Sequence, residues 1–184
     1  MTHGYLRPIK VNYKAGGNEV VNNGHTIQVN YASGSSINID NNEFELKQFH
    51  FHSPSENTIE GRSYPMEAHF VHADKDGNLA VIAVMFKEGR HNEELEKAWS
   101  QMPAQAGDKH ALASQLDANR LLPGGQYYRF NGSLTTPPCT EGVRWMVMKR
   151  IQSASREQIE RFMKVMQHPN NRPVQPVNAR LIVK

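Results

Sequence analysis

The chain holds a single cysteine, Cys139, in 184 residues, so an intramolecular disulfide is impossible and the thiol is either free or an intermolecular link. No apolar run approaches the roughly 20 residues of a membrane-spanning helix, which argues against a helical membrane protein. Basic residues are scattered rather than blocked, with 21 Lys and Arg against 18 Asp and Glu and a net charge of +3, so no nucleic-acid surface is implied. No repeat or low-complexity segment is present. Met1-Thr2-His3-Gly4 leads straight into polar sequence, and the chain is expected to carry no signal peptide. What is there is ordinary for a globular protein: 38% hydrophobic and 21% charged residues, in a chain long enough to bury a full core. One domain over residues 1–184 is expected.

Short alternating runs at 8–13, 26–31, 36–39, 43–52, 66–72, 79–86 and 143–150 predict a mainly β protein with peripheral helices. Leu79 to Phe86 is continuously apolar, as a central strand buried on both faces requires. Asp74 to Asn78 before it is a turn with an Asp-Gly step. One helix is expected over His91 to Met102, with Leu95, Ala98 and Trp99 on one stripe. A second is expected over Ser155 to Gln167, with a Ser155/Gln158 capping box and Ile159, Phe162, Met163 and Met166 as its core face. A third, weaker helical stretch covers about 109–118.

The chemistry concentrates in residues 48–72. Strand side chains alternate faces, so Gln48, His50 and His52 share one face, and Glu67, His69 and Val71 share one on a second strand. Paired strands would converge three imidazoles, the donor set of a catalytic zinc with its fourth position open. Gln48 and Glu67 stand where acceptors for the outer ring N–H of ligand histidines belong. Phe49, Phe51, Ala68 and Phe70 occupy the opposite face as core. A His-x-His pair alone is commonly polar surface; the acid at i−2 of a third histidine is what sets this cluster apart.

These motifs resemble those of the α-carbonic anhydrases, bacterial type. The family's Gln-x-His-x-His, Ser-Glu and Glu-x-His-x-Val-His stand here as Gln48 to His52, Ser55-Glu56 and Glu67 to His72. Its Ser-Leu-Thr-Thr-Pro-Pro-Cys block is Ser133 to Cys139, followed by Trp145. Asn22-Asn23-Gly24-His25 and Asn171-Arg172-Pro173-Val174-Gln175-Pro176 match two further blocks. The resemblance runs from about Leu6 to the end and implies the family fold, a large twisted, mixed but mostly antiparallel central sheet. It implies Zn2+ on His50, His52 and His69, and reversible hydration of carbon dioxide to bicarbonate and a proton by a zinc-bound hydroxide.

By the same resemblance, Glu56 and Thr135 aim the hydroxide and His25 shuttles the proton, with Asn23 and Gln28 lining the same cavity. Val71, Val81, Leu134, Val143 and Trp145 form the substrate slot, Thr136 lines its substrate side, and His72 is a buried structural residue. His3, His91, His110 and His168 have no motif around them and are expected at the surface. Sulfonamide binding through zinc, weak esterase activity and a periplasmic or extracellular location are further implications.

Three departures from the family pattern stand out. Its N-terminal segment, which carries aromatics near the active site and in bacterial members a cysteine that pairs with the Thr-Thr-Pro-Pro-Cys loop, is expected to be missing ahead of Leu6-Arg7-Pro8-Ile9. Cys139 therefore lacks that partner, and a homodimer covering exposed apolar surface, bridged at Cys139 or not, is an expectation. Asn57 replaces a common histidine and is expected to bond Glu56. Two other readings stay open. In a cupin-type enzyme, Glu56 would be a metal ligand beside His50 and His52, although Gly61 falls two residues early for that motif. In a truncated zinc-binding domain, CO2 hydration would be poor.

Overall fold

Strand pairing organises nearly everything in the molecule. The computed structural model describes residues 1–184. Its strands are β1 (Lys10–Asn12), β2 (Gly17–Asn22), β3 (Ile27–Tyr31), β4 (Ser36–Ile39), β5 (Asn42–His52), β6 (Met66–Ala73), β7 (Leu79–Glu88), β8 (Lys109–Leu116), β9 (Tyr127–Ser133), β10 (Glu141–Met148) and β11 (Gln152–Ala154). The helices are α1 (Glu93–Trp99) and α2 (Arg156–Met166). The strands form one 11-stranded sheet in the order β8-β2-β3-β5-β6-β7-β10-β9, with β4 joining β1 to β5 and β11 against β7. Only the β7–β10 and β7–β11 pairs are parallel. This is the mainly β, mixed but mostly antiparallel architecture that the alternating runs imply.

The two faces of the sheet are chemically distinct, because side chains alternate along each strand. Phe49, Phe51, Ala68, Phe70, Ile82, Val84 and Phe86 point to the back, into a core of 30 buried residues roofed by the helices. Phe51 meets Trp99 of α1 edge-on at 4.8 Å and Phe162 of α2 at 6.2 Å between ring centroids. Phe49 stacks on Phe70 at 5.0 Å. These back-face rings anchor β5 and β6 so that the residues between them must face forward. A smaller front core of Val81, Ala83, Met85, Val143, Trp145 and Val147 lies beside those forward residues.

Local signals hold at the better-marked elements. β7 is buried along most of its length between β6 and β10. The Ser155/Gln158 capping box is present at the start of α2. Met163, expected in the core stripe of α2, is 51% exposed; Ile159, Phe162 and Met166 are the buried face. α1 is shorter than the sequence pattern suggests. Asn92 caps it by accepting from the Leu95 N–H, and it ends ahead of Pro103, which disfavours helical backbone in the residue before it.

The stretch at 109–118 corrects the sequence expectation: it is strand β8, not helix. It pairs antiparallel with β2, an element the alternation does not reveal because Gly17, Asn18 and Asn22 interrupt it. The free backbone groups of β2 offer β8 a ladder, and that long-range pairing overrides local helix propensity. β8 is exposed at most positions, so no alternation betrays it. β9 and β11 are likewise absent from the sequence expectation.

His72 is fully buried on the back face. Its Nδ1–H donates to the Ala80 carbonyl at 3.1 Å, which leaves Nε2 to accept from the Tyr13 hydroxyl. Tyr13 also stacks on the ring at 5.8 Å. Burial lowers its pKa from 6.5 to about 4. The unfolded chain therefore takes up this proton near pH 6.5 and the folded chain only near 4. The stability contributed by the neutral ring is complete above pH 6.5, declines as pH falls and is lost by about pH 4, a difference of about 3 kcal/mol. Urea unfolding of a His72→Gln variant across that range is expected to show a shallower acid decline than the parent chain by about that amount. Equal slopes would show that the ring is not held neutral.

Candidate metal centre

Register decides the site. β5 and β6 pair with His50 opposite His69, His52 opposite Glu67 and Gln48 opposite Val71. All six side chains stand on the front face, as the period-two spacing requires. His50, His52 and His69 each offer a ring nitrogen, and these atoms lie within 4.8 Å of one another.

Hydrogen bonds identify which nitrogen each ring presents. The Gln48 side-chain carbonyl accepts from His50 Nδ1–H at 2.9 Å, so Nε2 is free. The Asn170 backbone carbonyl can only accept, so His52 Nδ1 is protonated at 3.0 Å from it and Nε2 carries the lone pair. Glu67 Oε1 accepts from His69 Nε2–H at 2.9 Å, leaving Nδ1. The open set is thus Nε2, Nε2 and Nδ1. His52 Nε2 is buried without any hydrogen-bond partner, an arrangement that burial makes costly unless a cation supplies the missing contact. Burial, then the neighbouring histidines, holds His50 well below the usual imidazole range; burial and His69 lower His52 as well. Neutral rings of this kind are what zinc takes as ligands.

Burial also works against charge on His69, but the Glu67 and then the Glu56 carboxylates overcome it and raise this ring. Burial would raise Glu67, yet His69 and the Asn57 donors outweigh it and hold the carboxylate low. Glu67 has no exposed surface and uses both oxygens fully. Oε2 accepts from the backbone N–H groups of Glu56 and Asn57 at 2.7 and 2.8 Å, and Oε1 takes the Asn57 amide at 2.6 Å beside His69. One carboxylate therefore joins a ligand ring to the loop that carries Glu56. This corrects the expectation for Asn57: its amide serves Glu67, because the same carboxylate also collects the Asn57 backbone N–H.

The Glu56 side chain is buried above the rings. Its Oε1 accepts from the Arg172 backbone N–H at 2.7 Å, while Oε2 lies 3.8 Å from His69 Nδ1 and has no hydrogen-bond donor. It does not join the three ring nitrogens as a fourth ligand, which removes the cupin-type arrangement. No hydrogen bond links Thr135 to Glu56, although both line one cavity of about 590 Å3. The cavity is lined as well by His25, Asn23, Gln28, the three ligand-type histidines, Val71, Val81, Leu134, Thr136 and Trp145. Trp145 meets His69 edge-on at 4.9 Å. Val143 is 1% exposed and packs behind this wall without lining the cavity. Cys139 is a free, half-buried thiol on the same loop as Thr135.

The four histidines without motifs are exposed. Sequence reasoning passed over Asn170 and the role of the Arg172 backbone. They reach His52 and Glu56 through main-chain atoms brought in from beyond α2, for which a side-chain pattern holds no signal.

A largely buried three-histidine donor set with oriented outer nitrogens, opening to a cavity on a large mixed sheet, fits the class of mononuclear metal sites, with zinc as the fitting metal. The sequence model of the eukaryotic-type carbonic anhydrase family matches residues 2–184. A carbonic anhydrase of Neisseria gonorrhoeae is 51% identical over 183 residues, covering 98% of this chain and 72% of the relative. Among solved structures, an α-carbonic anhydrase from Thermovibrio ammonificans in complex with sulfanilamide aligns with a TM-score of 0.97 at 53% identity, covering 100% of this chain and 81% of that one. A hyperthermostable carbonic anhydrase from a hydrothermal vent chimney aligns at 0.96 and 58% identity, covering 99% and 82%. The chain belongs to the α-type carbonic anhydrase family.

Removal of the acceptors is expected to weaken zinc binding unequally. Gln48→Ala should cost about 10- to 100-fold in affinity in a chelator competition. Glu67→Ala should cost more and also lower the melting temperature, because it strands two backbone N–H groups as well as a ring N–H. Equal effects of the two would contradict the double duty assigned to Glu67.

Proposed function

We propose that the chain catalyses the reversible hydration of carbon dioxide to bicarbonate and a proton at a zinc ion held by His50 Nε2, His52 Nε2 and His69 Nδ1. The carrying observation is the convergence of those three nitrogens, each oriented by a hydrogen bond on the far side of its ring. A bound Zn2+ lowers the pKa of its water to about 7, the value that carbonic anhydrases themselves define.

The chain's residues supply the rest. Val71, Val81, Leu134 and Trp145 present an apolar wall beside the histidines, which suits a small, linear, apolar molecule better than donors would. Thr136 lies toward the same space. Glu56, held through Oε1 by Arg172, offers Oε2 as a buried acceptor. An ionised carboxylate accepts only, so the Thr135 hydroxyl would donate to it and keep its own lone pair to receive a hydrogen bond from the nucleophile. That fixes the direction of attack. Hydration of CO2 leaves one proton, and the His25 imidazole at the cavity edge would accept it and release it to solvent.

A periplasmic or extracellular location extends this reading by analogy with the bacterial relatives. No helix is long and apolar enough to cross a membrane. Homodimerisation extends it further, supported by Val174, Val177 and Leu181 exposed near an apolar pocket of about 510 Å3. Light scattering is expected to report a dimer at high concentration, reducible by thiols if Cys139 bridges it; a persistent monomer would exclude it.

Stopped-flow CO2 hydration with zinc counted on the same sample tests the main reading. Rapid turnover with about one zinc per chain is expected, as the three-nitrogen set requires. Zinc without turnover would favour the poorly active binding domain instead. Sulfonamide binding is expected in the zinc-loaded chain and should be lost in His69→Ala; retained binding there would remove His69 from the site.

A further inference from the structure

We propose that Asn170 is a positioning residue for proton transfer, its side-chain amide bolting the His25 turn to the end of β5 so that shuttle and metal centre keep one geometry. The inference rests on His25 being the shuttle.

Every polar atom of Asn170 is hydrogen-bonded. Its Oδ1 accepts from the Ser53 N–H at 2.8 Å, its N–H donates to the Ser53 carbonyl at 3.2 Å, and its carbonyl holds His52 Nδ1. The two amide hydrogens are divided: one goes to the Phe51 carbonyl at 2.9 Å and the other to the His25 carbonyl at 3.0 Å. The amide nitrogen thus bridges the residue before a metal-ligand histidine and the shuttle residue itself. On the other side of the turn, Asn23 Oδ1 accepts from the N–H groups of His25 and Thr26, both at 2.9 Å. Thr26 Oγ1 donates to the Phe51 carbonyl at 2.5 Å and accepts from the Phe51 N–H at 3.1 Å.

The exposed His25 ring makes no hydrogen bond of its own, so the residue is held by backbone hydrogen bonds, and Asn170 provides the one on its carbonyl. Aspartate has the same shape but cannot donate, and in Asn170→Asp a carboxylate would face both carbonyls. The His52 contact uses the main chain and survives that change.

The experiment compares the zinc-loaded parent, Asn170→Asp, His25→Ala and the double variant in CO2 hydration, in dilute buffer and with added imidazole. It also measures 15N relaxation of Gly24, His25 and Thr26 in the metal-free proteins. Asn170→Asp is expected to lower kcat about tenfold in dilute buffer, to lower kcat/KM by a clearly smaller factor, and to regain kcat with imidazole. Its turn should lose backbone order without metal, and the double variant should be no slower than His25→Ala. Should Asn170→Asp fail to fold, Asn170→Ala removes the same donors without adding charge and carries the same expectations. Parallel loss of kcat and kcat/KM without imidazole rescue, or unchanged order in the turn, would overturn the proposal. If His25→Ala keeps full kcat, the shuttle assignment itself falls; if it slows and Asn170→Asp does not, only the clamp falls.

Discussion

The antiparallel register between β5 and β6 is the constraint on which the rest depends. It sets His50 against His69 and places His52 one pleat away, so that three rings meet without any loop having to close over them. A slip of one residue would turn all three imidazoles into the aromatic core and bring Phe49, Phe51 and Phe70 to the cavity. The large back-face core makes that slip prohibitive. The metal centre is therefore precise because the hydrophobic effect on one face of the sheet holds the polar residues on the other.

Orientation adds a second layer. Each ligand ring is fixed by an acceptor with a different source: a neutral side-chain amide at Gln48, a main-chain carbonyl at Asn170 and a buried carboxylate at Glu67. A carbonyl or carboxylate leaves the facing ring nitrogen no choice but to donate, so the lone pairs point inward before any metal arrives. The carboxylate goes furthest, since it also organises the Glu56 and Asn57 backbone. The site is consequently one network reaching from β6 through the Glu56 loop to the segment after α2, where the Arg172 N–H holds Glu56 in turn. The buried Glu67 charge is tolerable in that network because each of its two oxygens accepts two hydrogen bonds.

Legibility followed the reach of the physical signal. Gln48, His50, His52, Glu67 and His69 could be put on shared faces from spacing alone, because strand alternation is a property of the chain itself. The capping box of α2 was visible for the same reason, since its partners lie three residues apart. Met163 was misplaced because it borders the apolar stripe of α2, and only packing against the sheet decides which residues at its edge are covered. The 109–118 stretch was misread because its partner, β2, lies about 90 residues earlier in a segment without alternation. Val143 matched a lining position but stands behind Trp145, a distinction of depth that a one-dimensional pattern does not contain.

The sequence by itself determined the two-faced character of β5 and β6, the ligand-type residues and, through several motifs in one order, the family. Those are local or cumulative properties of residue identity. Tertiary structure alone decided which nitrogen of each ring is free, that Asn57 serves Glu67, and that Asn170 and Arg172 join the site through their main chains. These depend on hydrogen bonds between segments more than 100 residues apart, or on which of two adjacent carboxylates a short amide can reach. Directional contacts of that kind exist only once the chain has closed.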